Sequence, residues 1–195
     1  MNEAQWDKLL HIRTSGRDDS HADQYCYPYE PTPYSVVERL VNTGYIGKKN
    51  VLLDYGCGKG RVDFFVAYQT KCHAIGIEYD ERIYDKVMEN QKSAISAART
   101  QFEKMNAEQF IVPENADCMY FFNPFSVEIL KRVIARILES YYDNPRHIQL
   151  FFYYPSDEYI SYLMTEGELM FVDEIDCSDL FEGNEARERI VIFEM

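Results

Sequence analysis

The sequence contains no run of about 18 apolar residues, the length that a membrane-crossing helix needs. Its first residues, Met1-Asn2-Glu3-Ala4-Gln5-Trp6-Asp7-Lys8, lack the basic-then-apolar order of a secretory signal, so the expected location is cytoplasmic. Cysteine is sparse: the five, at 26, 57, 72, 118 and 177, form no C-x-x-C pair and make an odd total. That pattern reads as reduced thiols that mostly fill a core, and it argues against a structural zinc, so no metal is expected. Internal repeats and low-complexity linkers are absent. Positive charge is short as well: 20 Lys and Arg face 33 Asp and Glu, giving a net charge of −13 at pH 7. From Asp157 to Glu188, eleven acids stand against one base, Arg187. Because nucleic-acid binding relies on Lys and Arg at the phosphates, such a partner is unexpected unless another protein or a local basic patch supplies the charge. The candidates for a patch are Lys48, Lys49, Lys59 and Arg61, then Lys131, Arg132 and Arg136, and their plainer reading is solvated helix faces. The acidity favours cationic or neutral substrates.

What the chain does have is core material, with 46% apolar residues, 12 Phe and 16 Tyr in a length suited to one domain, 1–195. Strand-like and helix-like segments alternate from about residue 50 to 164, which predicts an α/β fold: a single doubly wound, mostly parallel sheet with helices on both faces. Strands are expected at 50–55, 72–78, 101–105, 117–123 and 147–153. A helix is expected from Glu81 to Ala98, capped by Asp80, with Ile83, Val87, Ile95 and Ala98 inward. Another runs from Ser126 to Tyr142, where Val127, Leu130, Val133, Ile134, Ile137, Leu138 and Tyr141 recur at helical spacing as plain core. The alternation in Gly167–Ile175 and Arg187–Glu194 suggests an antiparallel C-terminal hairpin closing one edge. Ahead of this core (33–195), residues 1–32 are polar and rich in turn formers and are expected to act as a lid or cap, with 11–24 its movable part. A helix beginning at Thr32-Pro33, striped with Val36, Val37, Leu40 and Val41, is expected across the ligand pocket.

The most informative stretch is Val51-Leu52-Leu53-Asp54-Tyr55-Gly56-Cys57-Gly58-Lys59-Gly60-Arg61, an apolar strand running into three alternate glycines and then a helix. Glycine there lets backbone approach a ligand closely at a helix N-terminus. A dinucleotide site wants G-x-G-x-x-G, but the third position is Arg61; a P-loop needs G-x-x-x-x-G-K-[ST], which is also absent. A second mark is Ala74-Ile75-Gly76-Ile77-Glu78-Tyr79-Asp80, where a strand ends in a carboxylate placed to accept ribose hydroxyls.

Asp54 completes the pattern D-x-G-x-G-x-G, which resembles the first motif of class I, Rossmann-like S-adenosylmethionine-dependent methyltransferases. The resemblance implies S-adenosyl-L-methionine as cofactor, held by Asp54, Gly56, Cys57, Gly58, Gly60, Glu78 and Tyr79, with Asn106 and Ala107 beside the adenine. For Asn106 an ordinary helix cap is an equal reading. Ala116 to Phe125 looks like the family's fourth motif: Asn123-Pro124-Phe125 stands where amino-directed members carry N-P-P-[YF] or D-P-P-[YF], one proline short. Asn123 is thus the candidate catalytic residue, orienting the nucleophile and also bordering the cofactor. A bare Asn-Pro turn is otherwise a good strand stop. Tyr27 to Tyr34 resembles the Y-x-P-T-P segment of some small bacterial methyltransferases, including relatives of protein-lysine methylating enzymes.

Acceptor contacts are expected from Tyr29, Tyr34, Pro124, Phe125, Tyr153 and Tyr154, the last two at the carboxyl edge of the fifth strand. Tyrosines there could hold a cationic amine by cation-π contact, whereas Phe151 and Phe152 read as strand core. The function so implied is methyl transfer to an amine of a protein or small molecule. Two alternatives stay open: a binding protein for the same cofactor that does no transfer, as sensor or partner subunit, and, third, a nucleotide-dependent oxidoreductase.

Overall fold

In the computed structural model, which describes residues 1–16, 30–183 and 185–195, the elements follow in the order α1 (Glu3–Leu10), α2 (Tyr34–Asn42), β1 (Val51–Tyr55), α3 (Arg61–Thr70), β2 (His73–Glu78), α4 (Glu81–Gln91), β3 (Thr100–Lys104), β4 (Cys118–Phe121), α5 (Val127–Asp143), β5 (Gln149–Tyr153), α6 (Asp157–Leu163), β6 (Met170–Asp176) and β7 (Arg189–Glu194). The strands form one sheet in the order β3-β2-β1-β4-β5-β7-β6. Its first five strands are parallel, and β7 runs antiparallel between β5 and β6. All five residues of β1 are buried, as a central parallel strand covered on both faces requires. Alternate side chains feed two cores: Leu52, Phe64, Tyr120 and Phe151 on one face, Leu53, Phe121, Ile134 and Phe152 on the other. Strand order reverses between β1 and β4, which opens a crevice outside their carboxyl ends. No helix among the described residues is long and apolar enough to cross a membrane.

The α/β class, the parallel sheet and the C-terminal hairpin match the sequence expectation; three local features depart from it. The helix expected to reach Ala98 stops at Gln91, and Ile95 is exposed. The backbone N–H of Ile95 donates to the Leu10 carbonyl instead of continuing the helix, and the Asn90 side chain is taken up by Arg13 and Lys59 backbone groups. Residues 1–16, read as polar and rich in turn formers, begin with the helix α1. Asn2 and Gln5 close a capping box on α1, and Trp6, Leu10, Ile12 and Thr14 are buried. The movable segment expected at 11–24 is described only to residue 16, with Ile12 and Thr14 buried and the residues between and after them exposed; Tyr27 and Tyr29 lie outside the described residues. Finally, α2 begins at Tyr34 and lays Val36, Val37 and Leu40 into the core beside α3, so the segment before it, not the helix, borders the crevice.

Candidate functional site

At the carboxyl end of β1 the chain turns through Gly56, Gly58 and Gly60, all with positive φ (79°, 59° and 80°). A Cβ on Gly60 would lie 2.7 Å from Val87 and 2.8 Å from Phe64, so only glycine lets α3 start this close to its neighbours. The turn is pinned to β2: Gly56 and Cys57 N–H groups donate to the Ile77 carbonyl at 2.9 and 3.1 Å, and Gly58 N–H donates to Glu78 Oε2 at 3.0 Å. Glu78 Oε1 accepts from the Tyr79 and Asp80 N–H groups, both at 2.8 Å. Three backbone donors thus fix the carboxylate, and of its roughly four acceptor positions one is left for a ligand hydroxyl. Burial raises the Glu78 carboxyl above its ordinary range, against the pull of these donors.

The pocket in front of the turn is lined by Pro31, Thr32, Asp54, Cys57, Arg61 and Phe122, among others. Two acids line it, Glu30 and Asp54; Asp54 is 3% exposed, and burial pushes its carboxyl up to about 7, with the nearby Glu78 charge adding to the rise. Cys57 is buried beside it, with its thiol pushed well up by burial, so it lines the cradle as a neutral group. The two bases of the turn are committed elsewhere. Lys59 Nζ donates to the Ser15 and Gly16 carbonyls at 2.9 and 3.2 Å. Arg61 donates from Nε to Thr14 Oγ1 at 2.7 Å, pairs with Glu3, and lies 4.4 Å over the Tyr34 ring. Both are buried struts, so the solvated-face reading does not hold for them, and neither forms a surface patch for phosphates. Lys131 lies over Tyr162, while Arg132 and Arg136 pair with Glu108 and Glu139. Among the described residues the turn offers the carboxylates of Asp54 and Glu78 and no uncommitted base, which fits the cation and ribose of S-adenosylmethionine better than a pyrophosphate. A larger groove, about 320 Å³ between the amino ends of β1, β2 and β3, lies at the opposite edge from these groups.

The fourth-motif turn meets the cradle directly. β4 ends at Phe121, two residues sooner than expected, and Asn123 takes a left-handed backbone with φ 41°. Its Oδ1 is buried with no hydrogen-bond partner among the described residues. Pro124 packs on Gly56. Beyond β5, Tyr153 packs against Phe122 with the rings tilted and their centroids 4.7 Å apart, and donates to Glu188 Oε2 at 2.6 Å; Tyr154, with φ 50°, donates to Glu185. The Arg187 guanidinium lies 4.2 Å over Tyr154, so one face of that ring already holds a cation.

Of the other expected contacts, Tyr34 and Phe125 are taken up by the two cores. Tyr34 is 1% exposed, and its hydroxyl donates to Asp7 at 2.6 Å, which makes it core, not acceptor wall. Phe125 is buried in the opposite core against Phe121. Tyr79 is 68% exposed at the rim. Asn106 caps the single turn Ala107–Gln109 by accepting from Glu108 N–H at 2.9 Å, and Ala107 is half-buried there. Phe151 and Phe152 are core, as read. Sequence reasoning missed Phe122, Thr32 and Asp63. The last is a fully buried carboxyl facing Asp54, hidden behind the ordinary look of an acid in a helix's first turn.

Comparison with known proteins agrees with this geometry. A family model described as a methyltransferase domain matches residues 32–165. A protein-lysine N-methyltransferase of Saccharolobus islandicus (strain REY15A) is 32% identical over 71 residues, 35% of this chain and 44% of that protein, so the match spans under half of the relative. Among solved structures, an RNA methyltransferase from Salinibacter ruber in complex with S-adenosyl-L-homocysteine superposes with a TM-score of 0.54 at 20% identity, covering 85% of this chain and 92% of that one. The human methyltransferase 10 domain containing protein gives 0.65 at 12% identity, covering 98% and 92%. At these identities the structures show the fold alone. The strand-to-glycine cradle with its two carboxylates and the match over residues 32–165 lead to one conclusion: the chain belongs to the S-adenosylmethionine-dependent methyltransferases of Rossmann-like fold.

Proposed function

We propose that this protein transfers the methyl group of S-adenosylmethionine to an amine nitrogen, on a protein or a small molecule. The observation that carries this reading is the Oδ1 of Asn123, a buried carbonyl-type acceptor with no partner among the described residues and next to Phe122, which lines the pocket. A buried acceptor left alone costs about 1–3 kcal/mol, which an incoming N–H donor would recover. An amine supplies that donor while keeping its lone pair for attack.

The cofactor supplies an electrophilic methyl on a sulfonium. Everything else is geometry from this chain. Asp54 and the glycine turn hold the cationic, amino-acid end, Glu78 offers its remaining acceptor position to a hydroxyl, and Asn123 orients the nucleophile. Holding donor and acceptor at near-attack distance can account for about 7–11 kcal/mol of barrier lowering without a strong base, provided that the amine is neutral. Glu185 and Glu188, drawn in by the Tyr154 and Tyr153 hydroxyls, put negative charge at the acceptor side and favour an amine over an anionic acceptor. The protein-lysine methylating activity named for the relative above agrees with such an acceptor.

Steady-state kinetics of Asn123→Ala with a lysine-containing peptide test the assignment. The expected result is near-normal cofactor affinity with kcat/KM reduced at least tenfold. Undiminished turnover would remove Asn123 from this role.

A further inference from the structure

Asp63 is a fully buried carboxyl with no part in the scheme above. It lies in the first turn of α3 at 0% exposure, and neither oxygen meets a hydrogen-bond donor from the rest of the described chain. The group it faces is the carboxyl of Asp54 on β1. Around the pair stand the Cys57 and Cys72 thiols, the Tyr120 phenol and the Glu78 carboxylate. Burial pushes the two thiols and the phenol up and keeps them neutral. The other charged groups that line the pocket with Asp54 are Glu30 and Arg61, and the Arg61 guanidinium is engaged by Thr14, the Thr32 carbonyl and Glu3.

Two carboxylates buried together, with no ion pair to a base among the described residues, cannot both ionise, so a proton is shared between them. The pair is unequal. Asp54 lines the pocket, whereas Asp63 lies behind it and reaches no ligand. We propose that Asp63 keeps the proton and donates a hydrogen bond to Asp54, holding Asp54 as the carboxylate that meets the cationic amino-acid end of the cofactor. Asp63 is therefore a positioning residue, and the inference rests on the assignment of Asp54 to the cofactor. The directions agree: burial and the Asp54 charge hold Asp63 well above the usual carboxylate range, while the bond from Asp63 lowers Asp54 against its own burial. One consequence is a linked proton. Below about pH 7 Asp54 is itself partly protonated, and a bound cation displaces that proton to solvent.

The test is calorimetric titration of wild type, Asp63→Asn and Asp63→Leu with S-adenosylhomocysteine, at pH 6 and pH 8, in buffers of different ionisation enthalpy. Wild type is expected to release close to one proton per ligand at pH 6 and little at pH 8. Asp63→Asn, whose amide donates the same hydrogen bond, should stay within about threefold of wild-type affinity at pH 8; Asp63→Leu, checked for fold by circular dichroism, should lose at least tenfold. Wild-type affinity in Asp63→Leu, an equal loss in both variants, or proton release that does not change with pH would overturn the proposal. Infrared spectra of the unliganded protein at pH 7.5 give a readout that needs no cofactor. A protonated-carboxyl band clearly stronger in wild type than in Asp63→Asn supports the shared proton, and its absence from wild type or an equal band in both proteins refutes it. With the band present and no binding by wild type, the failure lies with the assignment of Asp54 to the cofactor.

Discussion

The Cβ that Gly56 lacks would stand 2.7 Å from the Cβ of Pro124. The glycine turn after β1 and the Asn123-Pro124 turn after β4 are therefore in van der Waals contact across the reversal in strand order, and the cofactor cradle and the candidate acceptor site share one wall. Gly56→Ala should strike both. The left-handed backbone alone costs an alanine about 1–2 kcal/mol, and the clash displaces Pro124 and with it Asn123. We expect a lower melting temperature and at least a tenfold loss in affinity for S-adenosylhomocysteine; a variant with unchanged stability and affinity would show that the contact does not shape the site.

Glu78 gives a separable outcome. Removing its carboxylate in Glu78→Ala frees the Gly58 N–H and deletes the candidate hydroxyl acceptor. Cofactor affinity should fall about tenfold or more, with turnover at saturating cofactor much less affected. Calorimetry and kinetics on the same preparation check this, and equal affinity would move the ribose away from Glu78.

Asp7 organises the N-terminal segment. Its carboxylate accepts from Thr14 N–H at 2.8 Å, Thr14 hydroxyl at 2.6 Å and Tyr34 hydroxyl at 2.6 Å, all buried. Asp7→Ala strands these donors, and each buried unsatisfied group costs about 1–3 kcal/mol, so a loss of about 2–4 kcal/mol in urea unfolding is expected. A change below about 0.5 kcal/mol would mean that residues 1–16 contribute little to the core.

The buried Asp54 carboxyl sets a pH dependence of the unliganded protein. Burial raises it from an ordinary value of about 3.9 in the unfolded chain, to about 7 in the folded one. Folding therefore favours the protonated form. The stabilising contribution is complete below about pH 4 and is lost as pH rises through about 7. Asp54→Asn should flatten the melting temperature between pH 5 and pH 8 and weaken cofactor binding. A wild-type melting temperature that rises over the same interval with no difference in the variant would contradict it.

Much of the fold was legible because its cues are local. Apolar runs ending in Asp54-Tyr55-Gly56 and in Glu78-Tyr79-Asp80 mark strand ends at one sheet edge, and the helical stripe from Val127 to Tyr141 is unambiguous. The misreadings fall where distant partners decide. Ile95 and Ala98 keep helical spacing, yet the Leu10 carbonyl captures the Ile95 N–H. Lys59 and Arg61 look like solvent-facing bases and are buried by Ser15, Thr14 and Glu3. The N-terminal helix was hidden by its polar composition, although Asn2 and Gln5 already spell a capping box and Trp6 and Leu10 an i,i+4 apolar pair. In the site, Asp54, Glu78 and the glycines were readable from motif spacing, whereas Asp63 and Phe122 gain meaning only when α3 and β4 are placed beside β1.

The most direct measurement is methyl transfer from isotopically labelled S-adenosylmethionine to a lysine-containing peptide and to a small diamine, with the modified atom identified by mass spectrometry. Label on nitrogen with the wild type, reduced at least tenfold by Asn123→Ala, is the expected result. Label on oxygen or carbon, or N-methylation that survives Asn123→Ala unchanged, would contradict an amine acceptor oriented by Asn123.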